Sequence, residues 1–439
     1  MVTVIEEPEA FAPAYNPIWW LFDSDQKTQA NFEYFLDIFI TGVEFAGETP
    51  HLRLKTPGGG PQAGHGAAKL GIFNVADILQ RQLTSDIGDS EYGFQQCSNS
   101  IIEYQVRYGE MYGPSSAVTE YISGTSIMFS AFNGSLGVLE WKDYIMGNYV
   151  SFDTATNTGV KLLSNQPPSG TIRALEDQWI YLMSGTSGAV KFANINIYAG
   201  TYNNKVFQGG YRVINHSYFN IATPANKMLR FPSGWNLMSI PQGSIYDYLG
   251  GAVDYIHIDN DNIKMWEIYF LDSNHNRLTE SFWVMKDDMC SNYEEYRLHF
   301  KNKWGGFDSF TFTKASQTNV GITRNVYERP TGNFKSITSY TYNKTDRFQT
   351  NFYTGYKHTI RLNSDWITED QSLWLEELLT SPEVYLYDSR MSLRTENIHG
   401  LVPVNIVDTN YTQRKHVTDR LFNISIEIQY TFRENRQGA

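Results

Sequence analysis

The sequence predicts a mainly β protein, built as tandem β-sandwich-like domains with a few short helices. Three observations predict it. Polar and apolar residues alternate in stretch after stretch, the period of a strand with one buried face. Aromatic residues make up 15% of the 439 residues and charged residues only 19%, with tyrosine and phenylalanine supplying most of the rings. Such a balance suits sheets with large contact surfaces better than long solvated helices. Helical periodicity, finally, is confined to two short stretches flanked by strands.

In chain order, Val75, Ile78, Leu79 and Leu83 share a helical face behind a candidate N-cap at Asn74, with Gly88 beyond the end. Ile101 to Tyr108 alternates and predicts a half-buried strand, and Val190 to Ala199 predicts another after the turn-like Gly185-Thr186-Ser187-Gly188. Trp266 to Leu271 and Arg277 to Val284 flank Asp272-Ser273-Asn274-His275-Asn276, a hairpin signal because Asp, Asn and Ser favour tight turns. Ser336 to Tyr342 and Arg347 to Tyr353 predict a second hairpin around Asn343-Lys344-Thr345-Asp346. Thr368-Glu369-Asp370-Gln371 fits a capping box, with acids where the helix dipole favours them. Leu373, Trp374, Leu375, Leu378 and Leu379 follow, and Ser381-Pro382 stops that helix. Leu421 to Phe432 closes the chain as a strand with Phe422, Ile424, Ile426, Ile428 and Tyr430 on one face.

The chain length suggests roughly three domains at about 150 residues each. The punctuation at Asn165-Gln166-Pro167-Pro168-Ser169-Gly170, and a break near Glu328-Arg329-Pro330-Thr331-Gly332, place them at 1–165, 166–330 and 331–439. The first is β-rich with one short helix, the second β-rich, and the third a β domain with a packed helix.

The charge balance, 35 Lys and Arg against 47 Asp and Glu, gives a net charge of -12, which disfavours gripping nucleic acid by its phosphates. Two cysteines, Cys97 and Cys290, form neither a disulfide framework nor a thiolate metal motif. Met1 to Tyr15 is acidic and lacks the pattern of an export signal, and no apolar run reaches the ~18 residues of a membrane span. The expectation is therefore a chain without a membrane anchor.

The search for chemistry assigns no catalytic, cofactor-binding or metal-ligating residue. Pro57 to Gly66 is glycine-rich but has no GK[ST] continuation, so it reads as a surface loop that orders against a neighbour. The acids around Asp259 and Asp261 lack the glycine and terminal acid of a calcium loop, since Lys264 and Phe270 hold those positions. Glu376 and Glu377 are adjacent on a helix and point apart. Trp19, Trp20, Trp141, Trp235, Trp304 and Trp366 are read first as packing residues, with sugar stacking as the alternative.

Three stretches carry a resemblance. The first is Tyr15-Asn16-Pro17-Ile18, with Leu52-Arg53-Leu54-Lys55 and Gly71-Ile72-Phe73-Asn74-Val75. The second is the turn-bearing run Phe300-Lys301-Asn302-Lys303-Trp304-Gly305-Gly306-Phe307-Asp308-Ser309-Phe310. The third is Trp374 to Tyr385, followed by Leu401-Val402-Pro403-Val404 and the closing strand. Together they resemble virion structural proteins of tailed bacteriophages, in particular tail, baseplate and neck components of phages of Bacteroidetes, crAss-like phages included. The resemblance implies a non-enzymatic subunit of the virion tail, made in the host cytoplasm. Its implied partners are copies of itself in a closed ring and neighbouring tail or neck proteins. It implies no active site, no cofactor and no sequence-specific nucleic-acid binding, while an acidic annulus would let DNA slide through.

Several local expectations complete the reading. Gly305-Gly306 makes a tight turn with Trp304 and Phe307 anchoring the strands beside it. The capped helix lies on the C-terminal sheet and buries Trp374 and Leu378. Pro403 marks an edge or a strand start. The glycine-rich loop and the acidic N-terminal segment order on neighbouring subunits. The rival assignments are a carbohydrate-binding or receptor-binding adhesion protein of a phage or bacterial surface, and a hydrolase of cell-wall polymers.

Overall fold

The computed structural model describes residues 1–40, 49–56, 69–87, 95–152, 159–167, 171–173, 176–185, 189–203, 206–217, 225–234, 237, 245–247, 263–287, 292–329, 344–387, 400–407, 422–432 and 434–436. The protein is mainly β, with several multi-stranded sheets and a few short helices. It divides into two compact units, Met1–Asp288 with Lys301–Asp308, and Met289–Phe300 with Ser309–Ala439.

The first unit contains two sandwiches. In one, the strands Val2–Glu6, Trp19–Ser24 and Gly71–Asn74 form an antiparallel three-stranded sheet. Facing it is a sheet ordered Phe11–Pro13, Phe129–Phe132, Ile101–Tyr112, Glu33–Ile40 and Leu52–Thr56, with Thr119–Thr125 also paired to Ile101–Tyr112. Their shared core is aromatic. Trp20 meets Phe129 edge-on at 5.0 Å, and Phe22 stacks on Tyr108 at 5.0 Å. The offset and edge geometries add to the burial of large rings. Ile101–Tyr112 shows the expected alternation in its first half, with Tyr104 and Val106 buried and Glu103, Gln105 and Arg107 turned outward.

The N-terminal segment differs from expectation. It is no free arm, because Val2–Glu6 pairs with Trp19–Ser24 and Phe11–Pro13 pairs in parallel with Phe129–Phe132. Val2 and Phe11 are buried, so their apolar side chains fix the segment in its own unit. Thr3, Ile5, Glu6, Glu7 and Glu9 stay at the surface.

The second sandwich packs the sheet Val150–Ser151, Trp179–Ser184, Lys227–Pro232, Gln95–Cys97 on a six-stranded sheet. The latter runs Thr171–Ile172, Phe282–Lys286, Ile263–Leu271, Phe192–Asn203, Val206–Ser217, Ile245–Asp247. Ile180, Leu182, Leu229 and Phe231 from the first meet Ile195, Trp266, Ile268 and Phe270 from the second. The buried indole of Trp266 donates to the Ser233 carbonyl at 2.9 Å, so its polar atom is satisfied. The first expected hairpin is present, with Met265 opposite Met285 and Ile268 opposite Phe282. Its turn is organised by Asp272, whose carboxylate accepts from the backbone of Asn274 and Asn276 and from the Asn276 side chain. The returning strand starts at Phe282 rather than Arg277, because Arg277 and Thr279 make isolated bridges to Leu271 and Val160.

The second unit is one eight-stranded sheet. Its order is Phe307–Phe312, Tyr296–Lys301, Val384–Tyr387, Leu401–Ile406, Ser425–Tyr430, Gln349–Asn363 and Gln317–Glu328, with Glu434–Arg436 also on Gln349–Asn363. The helices Glu369–Trp374 and Glu376–Thr380 cover one face. Thr368 caps the first as expected, accepting from the Gln371 backbone at 3.3 Å while the Gln371 side chain accepts from the Thr368 backbone at 3.1 Å. Trp374, Leu375 and Leu378 are buried against Phe300, Leu386 and Ile426, whereas Leu373 faces solvent. In the closing strand Phe422, Ile424, Ile426 and Ile428 are buried and Tyr430 is half-buried.

The second expected hairpin involves Ser336 to Tyr342, which lies outside the described residues. The described partner of Gln349–Tyr353 is Gln317–Glu328, with Thr350 opposite Tyr327 and Tyr353 opposite Asn325. The break expected near Glu328–Gly332 thus falls in the connection between two paired strands. One expectation about this sheet is corrected. Pro403 sits in an interior strand, opposite Tyr385. Its carbonyl accepts from Thr431 at 3.3 Å, so its nitrogen also points that way, where the neighbouring ladder has ended at Tyr430 opposite Val404. The missing N–H therefore costs no bond to the strand of Tyr385, and the ladder on the other side ends where a second bond to Thr431 would need it.

Elsewhere, the expected N-cap Asn74 lies one residue before the actual cap of the helix Ala76–Gln80, which is Val75 without a side-chain cap bond. The Asn74 carboxamide oxygen accepts from the Ala76 backbone at 3.1 Å and the Ile18 backbone at 3.0 Å. The helix Val138–Lys142 was not legible in the sequence, because Val138 and Leu139 face solvent and leave no buried stripe.

Candidate functional site

The feature of the second unit with the most uncommitted binding capacity is the outer strand Gln317–Glu328. All twelve of its residues are exposed, and it forms one edge of the sheet. Its register on Gln349–Asn363 puts Thr318, Val320 and Ile322 opposite Ile360, His358 and Tyr356. Opposite residues of an antiparallel pair share a face. Ile360 is buried in the core under the helices, so Val320, Ile322 and, by alternation, Val326 continue the core-facing side of the sheet out into solvent. Each of the three is about half exposed. Among the described residues the backbone ladder of this strand is engaged on one side only, and unpaired N–H and C=O groups are a template for another strand.

The opposite face of the same pair mixes polar and aromatic residues. Thr323, Asn325, Tyr353 and Lys357 line a groove of about 640 Å³ with Gln429 and Thr431. The Phe352 bulge falls where the register skips between Asn325 and Val326, and its ring is exposed beside Tyr327 at 6.2 Å between centroids. One edge strand therefore offers Val320, Ile322 and Val326 on a face interrupted by Arg324, a grooved opposite face and, among the described residues, an open ladder.

Lys301–Asp308, the run that carried part of the resemblance, is a tightly specified turn counted with the first unit. Asn302 is buried and organises it. Its carboxamide oxygen accepts from the Trp304 and Gly306 backbones at 3.0 and 3.1 Å, and its nitrogen donates to the Leu163 carbonyl at 2.8 Å. Gly305 has φ +85°, and a Cβ there would lie 2.5 Å from the Asn133 carbonyl oxygen. Trp304 packs on Tyr149 with centroids 4.2 Å apart. The turn is thus the expected Gly-Gly turn, and Trp304 and Phe307 are buried as anchors.

The tryptophans separate into two groups. Trp20, Trp304 and Trp374 are packing residues, Trp19 and Trp366 are exposed and Trp141 is half-buried, while Trp235 lies outside the described residues. Trp19 and Trp141, far apart in sequence, line one groove of about 610 Å³ in the first unit, walled also by Pro8, Pro13, Ile127 and Tyr144. Only folding reveals that convergence.

Polar clusters in the interior are structural. Asp37 is fully buried on Glu33–Ile40, and Arg53 and Arg107 on the two flanking strands clamp it, with contacts of 2.5 to 3.0 Å. Burial alone would raise its pKa, but hydrogen bonds and charge from both guanidinium groups outweigh that and hold it below the usual carboxylate value. Arg53 also reaches Glu120 at 2.8 and 2.9 Å. Ser309 and His299 meet at 2.7 Å, both buried on adjacent strands, and are sealed from any substrate. Among the described residues no group of three or more His, Cys, Asp or Glu is disposed to hold a metal ion. The glycine-rich run Pro57 to Gly66 and the acids Asp259 and Asp261 lie outside the described residues. No helix among the described residues is long and apolar enough to cross a membrane.

No protein-family model matches this chain, and no curated protein matches it.

Proposed function

We propose that the chain is a structural subunit of a bacteriophage tail, in a tail hub, baseplate or neck ring, that assembles as a closed homo-oligomer. The observation that carries this reading is the edge strand Gln317–Glu328, exposed at every residue and bearing an apolar continuation of the sheet's inner face. A neighbouring subunit that covers Val320, Ile322 and Val326 gains about 1 kcal/mol from each half-exposed side chain, besides any backbone ladder it completes. Repeated contacts of that kind close into rings when the rotation between neighbours allows. The virion setting rests on the resemblance in the three stretches quoted above. The rival assignment as a carbohydrate-binding or receptor-binding adhesion protein draws on the exposed Trp19 and the half-buried Trp141.

The test is the mass of the purified chain in solution against a variant carrying Val320→Lys, Ile322→Lys and Val326→Lys. These side chains are exposed, so the fold tolerates the change. Mass photometry is expected to find a discrete oligomer for the natural sequence and monomer for the variant. A natural chain that stays monomeric at tens of micromolar contradicts the proposal.

A further inference from the structure

The groove of the first unit has a composition that the same chain uses elsewhere to hold a guanidinium. Arg53 lies over the Phe35 ring at 4.6 Å while Asp37 and Glu120 accept its hydrogen bonds. Arg107 lies over Phe39 at 5.1 Å and donates to the same Asp37. In both cases an aromatic face and a carboxylate share one cation, the geometry that favours arginine over lysine.

Among the described residues that line it, the groove presents these parts with no guanidinium beside them. Trp19 and Trp141 supply indole surface, and Glu6 at the end of the strand Val2–Glu6 and Glu7 and Glu9 just beyond it also line the groove. All three glutamates are exposed, and no carboxylate of the three has an ion pair or hydrogen-bond partner among the described residues. Against them, among the described residues that line the groove, stands one cation, Lys142. The floor is preorganised, because the Tyr144 hydroxyl donates to the Phe11 carbonyl at 2.8 Å and Phe129 is locked in the aromatic core. Rigid walls lower the cost of ordering on binding. The volume, about 610 Å³, is in the range of specific sites.

We infer that this groove is a docking site for an extended arginine-bearing segment of a partner protein, held by indole faces and the three carboxylates. Charge selects the occupant. A neutral glycan would stack on the tryptophans but leave the acidic rim unmatched, whereas a guanidinium answers both. This site is independent of the edge strand in the second unit.

The probe is a nine-residue peptide of alternating proline and arginine, with its proline–glutamate counterpart and maltohexaose as comparisons. Binding is followed by calorimetry and by Trp emission, with circular dichroism as the check that each variant is folded. The Pro–Arg peptide is expected to bind the full chain, about tenfold more weakly after Trp19→Ala. A similar loss is expected for the combined Glu6→Gln, Glu7→Gln, Glu9→Gln variant, and binding should weaken several-fold as salt rises. The Pro–Glu peptide should not bind. The Val320→Lys, Ile322→Lys, Val326→Lys chain should bind the Pro–Arg peptide normally, which separates this inference from the assembly proposal. Absence of Pro–Arg binding, or binding unchanged in both groove variants, overturns the inference. So does maltohexaose binding that is lost in Trp19→Ala while the Pro–Arg peptide fails to bind, an outcome that gives the groove to a glycan.

Discussion

Replacing Asp37 by Asn tests whether the buried clamp holds the first sheet together. The substitution keeps the volume but removes the negative charge that two guanidinium groups share. Breaking a buried ion pair from one side costs about 3–5 kcal/mol, because the abandoned charge remains poorly solvated. Here the cost belongs at the lower end, about 3 kcal/mol. The side chains of Arg53 and Arg107 keep 28% and 17% of their exposure, and Arg53 retains Glu120. For a unit of this size that is a fall of about 5 °C in its melting transition. Differential scanning calorimetry and urea unfolding at neutral pH would measure it. The pH dependence supplies a second readout. A carboxylate whose folded pKa lies below its unfolded value of about 3.9 stabilises fully above that value and loses the contribution as pH falls through the folded pKa. The gap between the natural chain and the Asp37→Asn variant should therefore persist down to about pH 4 and close only below it. A loss under about 1 kcal/mol, or a gap already closed at about pH 6, would refute the reasoning.

Three further outcomes follow from local geometry. Gly305→Ala meets both a positive φ and a carbonyl oxygen 2.5 Å from the new Cβ, so it should destabilise the first unit by about 2 kcal/mol or more in urea titrations. Thr368→Ala removes a capping box on an exposed helix start and should cost about 1 kcal/mol in the second unit, with Thr368→Ser nearly neutral in the same measurement. Burial raises the Cys97 thiol to about 12, so mass spectrometry after alkylation at about pH 8 should find Cys97 unmodified in the folded chain and modified in urea.

Much of this fold was legible in the sequence where local chemistry decides it. The capping box at Thr368 and Gln371, the Asp272 turn and the Gly305-Gly306 turn each depend on residues a few positions apart, and each is where the sequence places it. The alternation in Ile101–Tyr112 and Ser425–Tyr430 likewise announces which side is buried. What escaped detection depends on distant partners. Gln317–Glu328 carries Val320, Ile322 and Val326 on one face, with Arg324 between the last two, yet nothing local says that these side chains stay uncovered. Pro403 has an edge-strand signature, and only the ending of its neighbour at Tyr430 explains its interior place. Trp19 and Trp141 look like isolated aromatics until strand pairing brings them to one groove. Asp37, Arg53 and Arg107 become a cluster only through the register of three strands.

The central claim is that this protein works by assembling through its exposed edge strand. Electron microscopy of the purified full-length chain tests it most directly. The account predicts closed rings of one subunit number, with density from a neighbouring subunit covering Val320, Ile322 and Val326 on Gln317–Glu328. Dispersed single subunits, or rings in which that strand faces solvent on both sides, would contradict it.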